Sequence, residues 1–124
     1  MPKRDPAPSG VEPSVPLSVV KAELFKALAH PARVRVLELL SDGERSVGDM
    51  QPFVGIELSH LSQQLGILRK AGVVTARKAG STVIYAVRDP LVVELLAVAK
   101  RLLAHTLQES NALLADLDAE LSSS

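Results

Sequence analysis

Leu58 to Val74 reads LSHLSQQLGILRKAGVV, and the fold turns on how these residues are phased. Leu58, Leu61, Leu65 and Leu68 recur at spacings of three and four, the repeat that puts side chains on one stripe of an α-helix. Ser59, His60, Ser62, Gln63 and Gln64 lie between them, and most face away from the stripe. A helix that meets only water more often carries Glu and Lys there, which pair at i,i+4. Ser, His and Gln supply donors and acceptors suited to base edges and phosphate oxygens. A solvated polar face is the competing reading, and the flanking sequence decides between the two.

After Gly72 the period shortens. Val73 to Lys78 and Thr82 to Val87 are β-prone runs on either side of Ala79-Gly80-Ser81, which predicts a hairpin with Arg77 and Lys78 near its tip. Upstream, Ser46 followed by Asp49 resembles a capping arrangement and predicts a short helix from Val47 to Phe53. A brief turn through Val54 and Gly55 then leads into the opening stretch. Short helix, turn, longer helix and basic hairpin make a helix-turn-helix followed by a wing, and such a tip lies along a phosphate backbone or in the minor groove.

The rest of the chain frames this unit. Residues 1–16 hold five of the eight prolines and show no apolar period, so they read as a disordered arm in which Asp5 and Glu12 offset Lys3 and Arg4. Ser18 is the expected cap of a helix reaching Ala29, with Val20, Leu24, Phe25 and Leu28 as its stripe. His30-Pro31 breaks it, and Pro31 opens a second helix to Leu40 before the turn Ser41-Asp42-Gly43-Glu44. Asp89-Pro90 starts a final helix, and neither proline nor glycine interrupts Leu91 to Leu121. Its leucine-rich surface exceeds what a small domain covers, which predicts self-association. The globular domain therefore spans residues 17–121, residues 122–124 fray, and the fold class is mainly α with a β-hairpin wing (α+β).

Formal net charge is zero, but the charge is unevenly placed. Residues 1–57 balance to −1, residues 58–88 to +5 with no acid, and residues 89–124 to −4. The basic block coincides with the polar helix and the hairpin, so its expected partner is a polyanion, double-stranded DNA. There is no cysteine, which excludes disulfides, thiolate metal sites and thiol redox sensing. No apolar run reaches the length of a membrane span and no signal-peptide core is present, so the expectation is a cytoplasmic protein with no membrane partner. The three histidines are scattered, and neither a phosphate-binding glycine loop nor an HExxH pattern occurs, so no catalytic residues are assigned.

With Phe25-Lys26-Ala27-Leu28-Ala29-His30-Pro31-Ala32-Arg33, Val36-Leu37-Glu38-Leu39-Leu40, Leu58 to Val74, and Gly80 and Tyr85 in the hairpin, the chain resembles the ArsR/SmtB family of bacterial repressors over about residues 18–107. The resemblance implies a homodimeric winged helix-turn-helix protein on a palindromic operator, its dimer made by the first and last helices, here Leu24, Leu95, Ala99, Leu102, Leu103 and Leu107. It implies groove-facing roles for Ser59, His60, Ser62, Gln63 and Gln64, and wing contacts from Arg77, Lys78, Ser81 and Thr82. Leu58 departs from the pattern, because a polar residue is common there.

Many members respond to metal ions, which raises nickel, zinc or cobalt as the effector. The cysteine site of the third helix is missing from Ser46-Val47-Gly48-Asp49. At the site shared by two final helices, Asp89 and His105 match two positions, Leu91 and Leu102 fill the others, and Glu109 or Glu94 are the nearest additional donors. Asp89 is also explained as a helix cap. An effector-independent repressor and a winged-helix module that binds another protein are the alternative readings.

Overall fold

The computed structural model describes residues 15–123, so the expected arm lies outside the described residues except for Val15 and Pro16. The elements follow in the order α1 (Leu17–Leu28), α2 (Pro31–Leu40), β1 (Arg45–Ser46), α3 (Val47–Val54), α4 (Leu58–Lys70), β2 (Val74–Ala79), β3 (Thr82–Val87) and α5 (Pro90–Ser123). The fold is mainly helical with an antiparallel hairpin, as the sequence predicts.

Most helix ends have identifiable causes. His30 caps α2, its Nδ1 accepting from the Ala32 N–H at 3.0 Å, with Pro31 in the first turn. Ser46 caps α3 by accepting from the Asp49 N–H at 3.1 Å. One expected cap is wrong. α1 starts at Leu17 without a side-chain cap, and Ser18 lies inside its first turn. The Pro16 carbonyl accepts from the N–H groups of Val19 at 3.0 Å and Val20 at 3.3 Å, so the chain already turns before Ser18.

α4 ends in a Schellman arrangement. The Val73 N–H reaches the Leu68 carbonyl and the Gly72 N–H the Arg69 carbonyl, both at 3.0 Å, with Gly72 at φ 77°. This closure drops Val73 and Val74 into the core beside Leu68. Leu61, Leu65 and Leu68 of α4 are fully buried there with Val36 and Leu37 of α2 and Met50 of α3. Truncating one such leucine to alanine costs about 2–5 kcal/mol.

A third strand escaped the sequence. Arg45 and Ser46 pair with Tyr85 and Ile84, giving the sheet order β1-β3-β2. The hairpin is tighter than the expected three-residue turn, since Ala79 pairs with Thr82 and only Gly80 and Ser81 connect the strands. Gly80 has φ 66° and Ser81 a negative φ, the signs of a type II′ turn, whose twist matches that of the strands. β1 anchors the base of this wing to the start of α3.

α5 is one helix of 34 residues, about 51 Å long at ~1.5 Å per residue. The Asp89 side chain accepts from the Leu91 N–H at 2.9 Å and so caps it. Among the described residues, only Val92, Leu95 and Leu96 of α5 pack against the core. Among the described residues no helix is long and apolar enough to cross a membrane.

Candidate nucleic-acid interface

Gly55 at φ 78° turns the chain from α3 into α4, and the Leu61 N–H donates to the Glu57 carbonyl to start the longer helix. Because Leu61, Leu65 and Leu68 point inward, Ser59, His60, Ser62 and Gln63 are left exposed on α4. Ser59, Ser62, Gln63 and Gly66 follow the i, i+3, i+4, i+7 spacing and so form one outward strip. Leu58, which departs from the family pattern, is 47% exposed at the head of the helix. The His60 ring meets the His30 ring edge-on with centroids 6.4 Å apart, so its position is tied to the start of α2.

Gln64 is not on this face. It is buried at 6% exposure, and its Oε1 accepts from Arg33 Nη1 at 2.8 Å. Its expected groove-facing role is therefore corrected to an internal one. Arg33 also donates to the carbonyls of Ala27 at 2.7 Å and Lys26 at 3.3 Å, the last turn of α1. One guanidinium thus closes the C-terminus of α1 and satisfies the buried amide of α4.

The wing presents Arg77, Lys78, Ser81 and Thr82, all exposed. Arg77 is not free: its Nη2 forms an ion pair with Glu44 in the loop before β1. The sequence-level block of positive charge is accordingly reduced at that point, and Lys78 is left as the unpaired cation nearest the tip among the described residues.

The chain matches a helix-turn-helix domain family over residues 28–77. An uncharacterized HTH-type transcriptional regulator of Mycobacterium tuberculosis, Rv0081, is 55% identical over 107 residues, covering 86% of this chain and 94% of that protein. A crystal structure of that regulator has a TM-score of 0.72 at 56% identity, covering 77% of this chain and 97% of the other. A Mycobacterium bovis domain described as homodimeric, winged helix-turn-helix and DNA-binding, from a possible ArsR-family regulator, has a TM-score of 0.68 at 31% identity, over 75% of this chain and 86% of that one. The chain belongs to the ArsR family of winged helix-turn-helix transcriptional regulators. Another relative is the biofilm growth-associated repressor of Agrobacterium fabrum, 45% identical over 64 residues, which are 52% of this chain and 55% of that protein.

The expected ArsR-type metal donors do not converge within the chain. Asp89 caps α5 and His105 lies within it, and their sequence separation places them about 24 Å apart at ~1.5 Å per residue. Asp89 Oδ1 is engaged in capping α5. Leu91 and Leu102 occupy the turns where more donors are needed, and among the described residues no three His, Cys, Asp or Glu side chains cluster. His105 and Glu109 are one turn apart and exposed, but Glu94 is more than two turns away from His105. Within one chain this donor set supplies fewer than the three or four protein ligands of a tight zinc or nickel centre, so such a centre needs donors from a second copy.

The expected dimer residues divide into two groups. Leu95 is partly buried against its own core, whereas Leu24, Ala99, Leu102, Leu103 and Leu107 are exposed. Sequence reasoning missed Gly66, whose place on the outward strip follows from its spacing to Ser59, Ser62 and Gln63. A Cβ built on it meets nothing within 4 Å, so its own fold does not require glycine there.

Proposed function

We propose that the chain is a sequence-specific transcriptional repressor that acts as a homodimer on palindromic double-stranded DNA. The carrying observation is the division of α4, with leucines and Gln64 inward and Ser59, His60, Ser62 and Gln63 outward. These four side chains reach base edges in the major groove, and Leu58 packs against a thymine methyl. Gly66 lets a DNA strand approach the helix backbone. Its use in a helix interior costs about 0.5–1 kcal/mol relative to alanine, which folding alone does not repay.

Arg77, Lys78, Ser81 and Thr82 hold the adjacent phosphates, a role that fixes register without reading sequence. Leu24 with Leu102, Leu103 and Leu107 meets a second copy, and Leu95 and Ala99 sit at the inner edge of that contact. Two α4 helices then address half-sites about 34 Å apart, one turn of DNA. Homodimerisation of the similar M. bovis domain supports this arrangement. A protein of this kind works in the cytoplasm with the genome, and no step is assigned to a metal or to catalysis.

The test is a binding comparison between an operator duplex selected from random sequence and an unrelated duplex. Ser62→Ala with Gln63→Ala should bring the two affinities together, losing about 1–3 kcal/mol of discrimination per base contact. Binding should also weaken steeply with salt as counterions are released. A protein that shifts no duplex at low salt refutes the proposal and favours a protein-binding winged helix.

A further inference from the structure

Folding alone does not account for an amide at position 64. Gln64 stands inside the buried stripe of α4, among Leu61, Leu65 and Leu68. A leucine there would cover the same core with no polar group to satisfy, and Arg33, which is only half-buried, would turn its freed N–H to water. Instead the Gln64 Oε1 accepts from Arg33 Nη1 at 2.8 Å. Among the described residues this is the one side-chain hydrogen bond that ties α4 to another helix. The same guanidinium donates through Nε to the Ala27 carbonyl at 2.7 Å and through Nη2 to the Lys26 carbonyl at 3.3 Å. α1 ends at Ala29 with φ −81° and ψ 60°, without the left-handed glycine that closes many helices, so Arg33 supplies the donors its last carbonyls need. The fork of a guanidinium is planar and its donors point in fixed directions, unlike those of a flexible ammonium. The last turn of α1 and the middle of α4 are therefore set against one rigid plane.

We infer that Arg33 and Gln64 are positioning residues that hold the reading helix at a fixed angle to the dimerising helix, and so determine which half-site spacing the dimer accepts. The inference rests on the proposed DNA reading and on the proposed dimer through α1 and α5. Gln64 touches no base in this role. It acts through Arg33, because α1 belongs to the frame that the two copies share, whereas α4 enters the groove. The distances involved are small. One base pair inserted between half-sites moves them apart by about 3.4 Å and rotates them by about 35°, so each protomer must absorb about 1.7 Å and about 17°. Ser59 lies six residues before the buried Leu65, about 9 Å along α4, so a swing of about 11° about Leu65 displaces Ser59 by about 1.7 Å. An α4 released from Arg33 has this freedom and tolerates the wrong spacing. An α4 bonded to Arg33 does not.

The experiment uses the full chain, an operator duplex selected from random sequence, and two derivatives with one base pair inserted or removed at its centre. In anisotropy measurements the unmodified chain should prefer the selected spacing by about tenfold or more, the scale of one hydrogen bond to a charged group. Gln64→Leu fills the same buried place without an acceptor, and should reduce this preference to about threefold or less. Its discrimination against base changes within a half-site should stay as in the unmodified chain, because Ser62 and Gln63 are untouched. Gln64→Glu keeps an oxygen for Arg33 and should restore the spacing preference. Thermal unfolding and sedimentation should show Gln64→Leu folded and dimeric, which a merely structural role for the amide would not allow. A Gln64→Leu chain that keeps the full spacing preference overturns the inference, and so does a Gln64→Glu chain that loses as much of it. Loss of half-site discrimination in Gln64→Leu overturns it by making Gln64 a base contact, and loss of fold or dimer overturns it by giving the amide to folding. Equal binding of all three spacings by the unmodified chain overturns the inference alone. An unmodified chain that binds no duplex, or that is monomeric, strikes the proposed function and takes this inference with it.

Discussion

Replacing Glu44 with glutamine removes the carboxylate that pairs with Arg77 on the wing. The two side chains are 51% and 57% exposed, so their pair contributes at most about 1 kcal/mol to folding and its loss leaves the fold intact. On DNA the balance differs. A phosphate must draw Arg77 away from Glu44, and the released carboxylate then stands beside a polyanion. With glutamine at this position Arg77 is available and the repulsion is gone. Each net positive charge gained at the phosphates steepens the logarithmic salt dependence by about 0.9, or about 1.8 for the two wings of a dimer. Between about 50 and 200 mM salt this amounts to roughly a 12-fold larger fall in affinity. Fluorescence anisotropy over a salt series, with operator and unrelated duplexes, measures it. Glu44→Gln should bind both duplexes more tightly at low salt with discrimination unchanged, because this cation reads no base. Glu44→Gln combined with Arg77→Ala should keep only the smaller part of this gain over Arg77→Ala alone, the part due to relieved repulsion. An unchanged slope in Glu44→Gln, or a gain equally large with and without Arg77, refutes the reasoning.

Gly66→Ala should raise the stability of α4 by about 0.5–1 kcal/mol in thermal unfolding while weakening operator binding; unchanged or tighter binding rejects close DNA approach at this residue. Leu102→Glu should shift the chain from dimer to monomer in sedimentation, because it places a charge where the proposed partner helix packs, and a monomeric unmodified chain sinks the interface altogether. Calorimetric titration with Ni²⁺ should give the same weak heats for the unmodified chain and His105→Ala. Tight binding that His105→Ala abolishes would restore a metal centre built between protomers.

Much of this architecture is legible in the sequence because it depends on local signals. The leucine phase of α4, the Asp89-Pro90 start of α5 and the Gly80 turn each act within a few residues. The same phase held the answer for Gln64, which stands three residues after Leu61 and four before Leu68, inside the buried stripe. Its polar chemistry suggested an outward role, whereas its spacing gave the observed one. The partner that makes burial tolerable, Arg33, is 31 positions away and leaves no local mark. The Arg77–Glu44 pair is equally non-local, at 33 positions. β1 is too short to carry a period and exists because β3 offers it hydrogen bonds. Ser18 misled because a capping residue type gives no guarantee of a capping position when a proline carbonyl just upstream already starts the helix.

The length of α5 bears on how much of this protein a cell retains. Val92, Leu95 and Leu96 hold its opening turns, while Leu113, Leu114, Leu117 and Leu121 extend beyond the core in the open. Helical stability in proteins comes mainly from packing of an apolar face, so in the proposed dimer this distal part takes its order mainly from the second copy. Helicity then rises with protein concentration, and an orphan protomer displays a fraying greasy tail, the kind of end from which proteolysis begins. In the proposed dimer, assembly and turnover would be linked through one rod, with the paired end covered and the unpaired end open to cleavage.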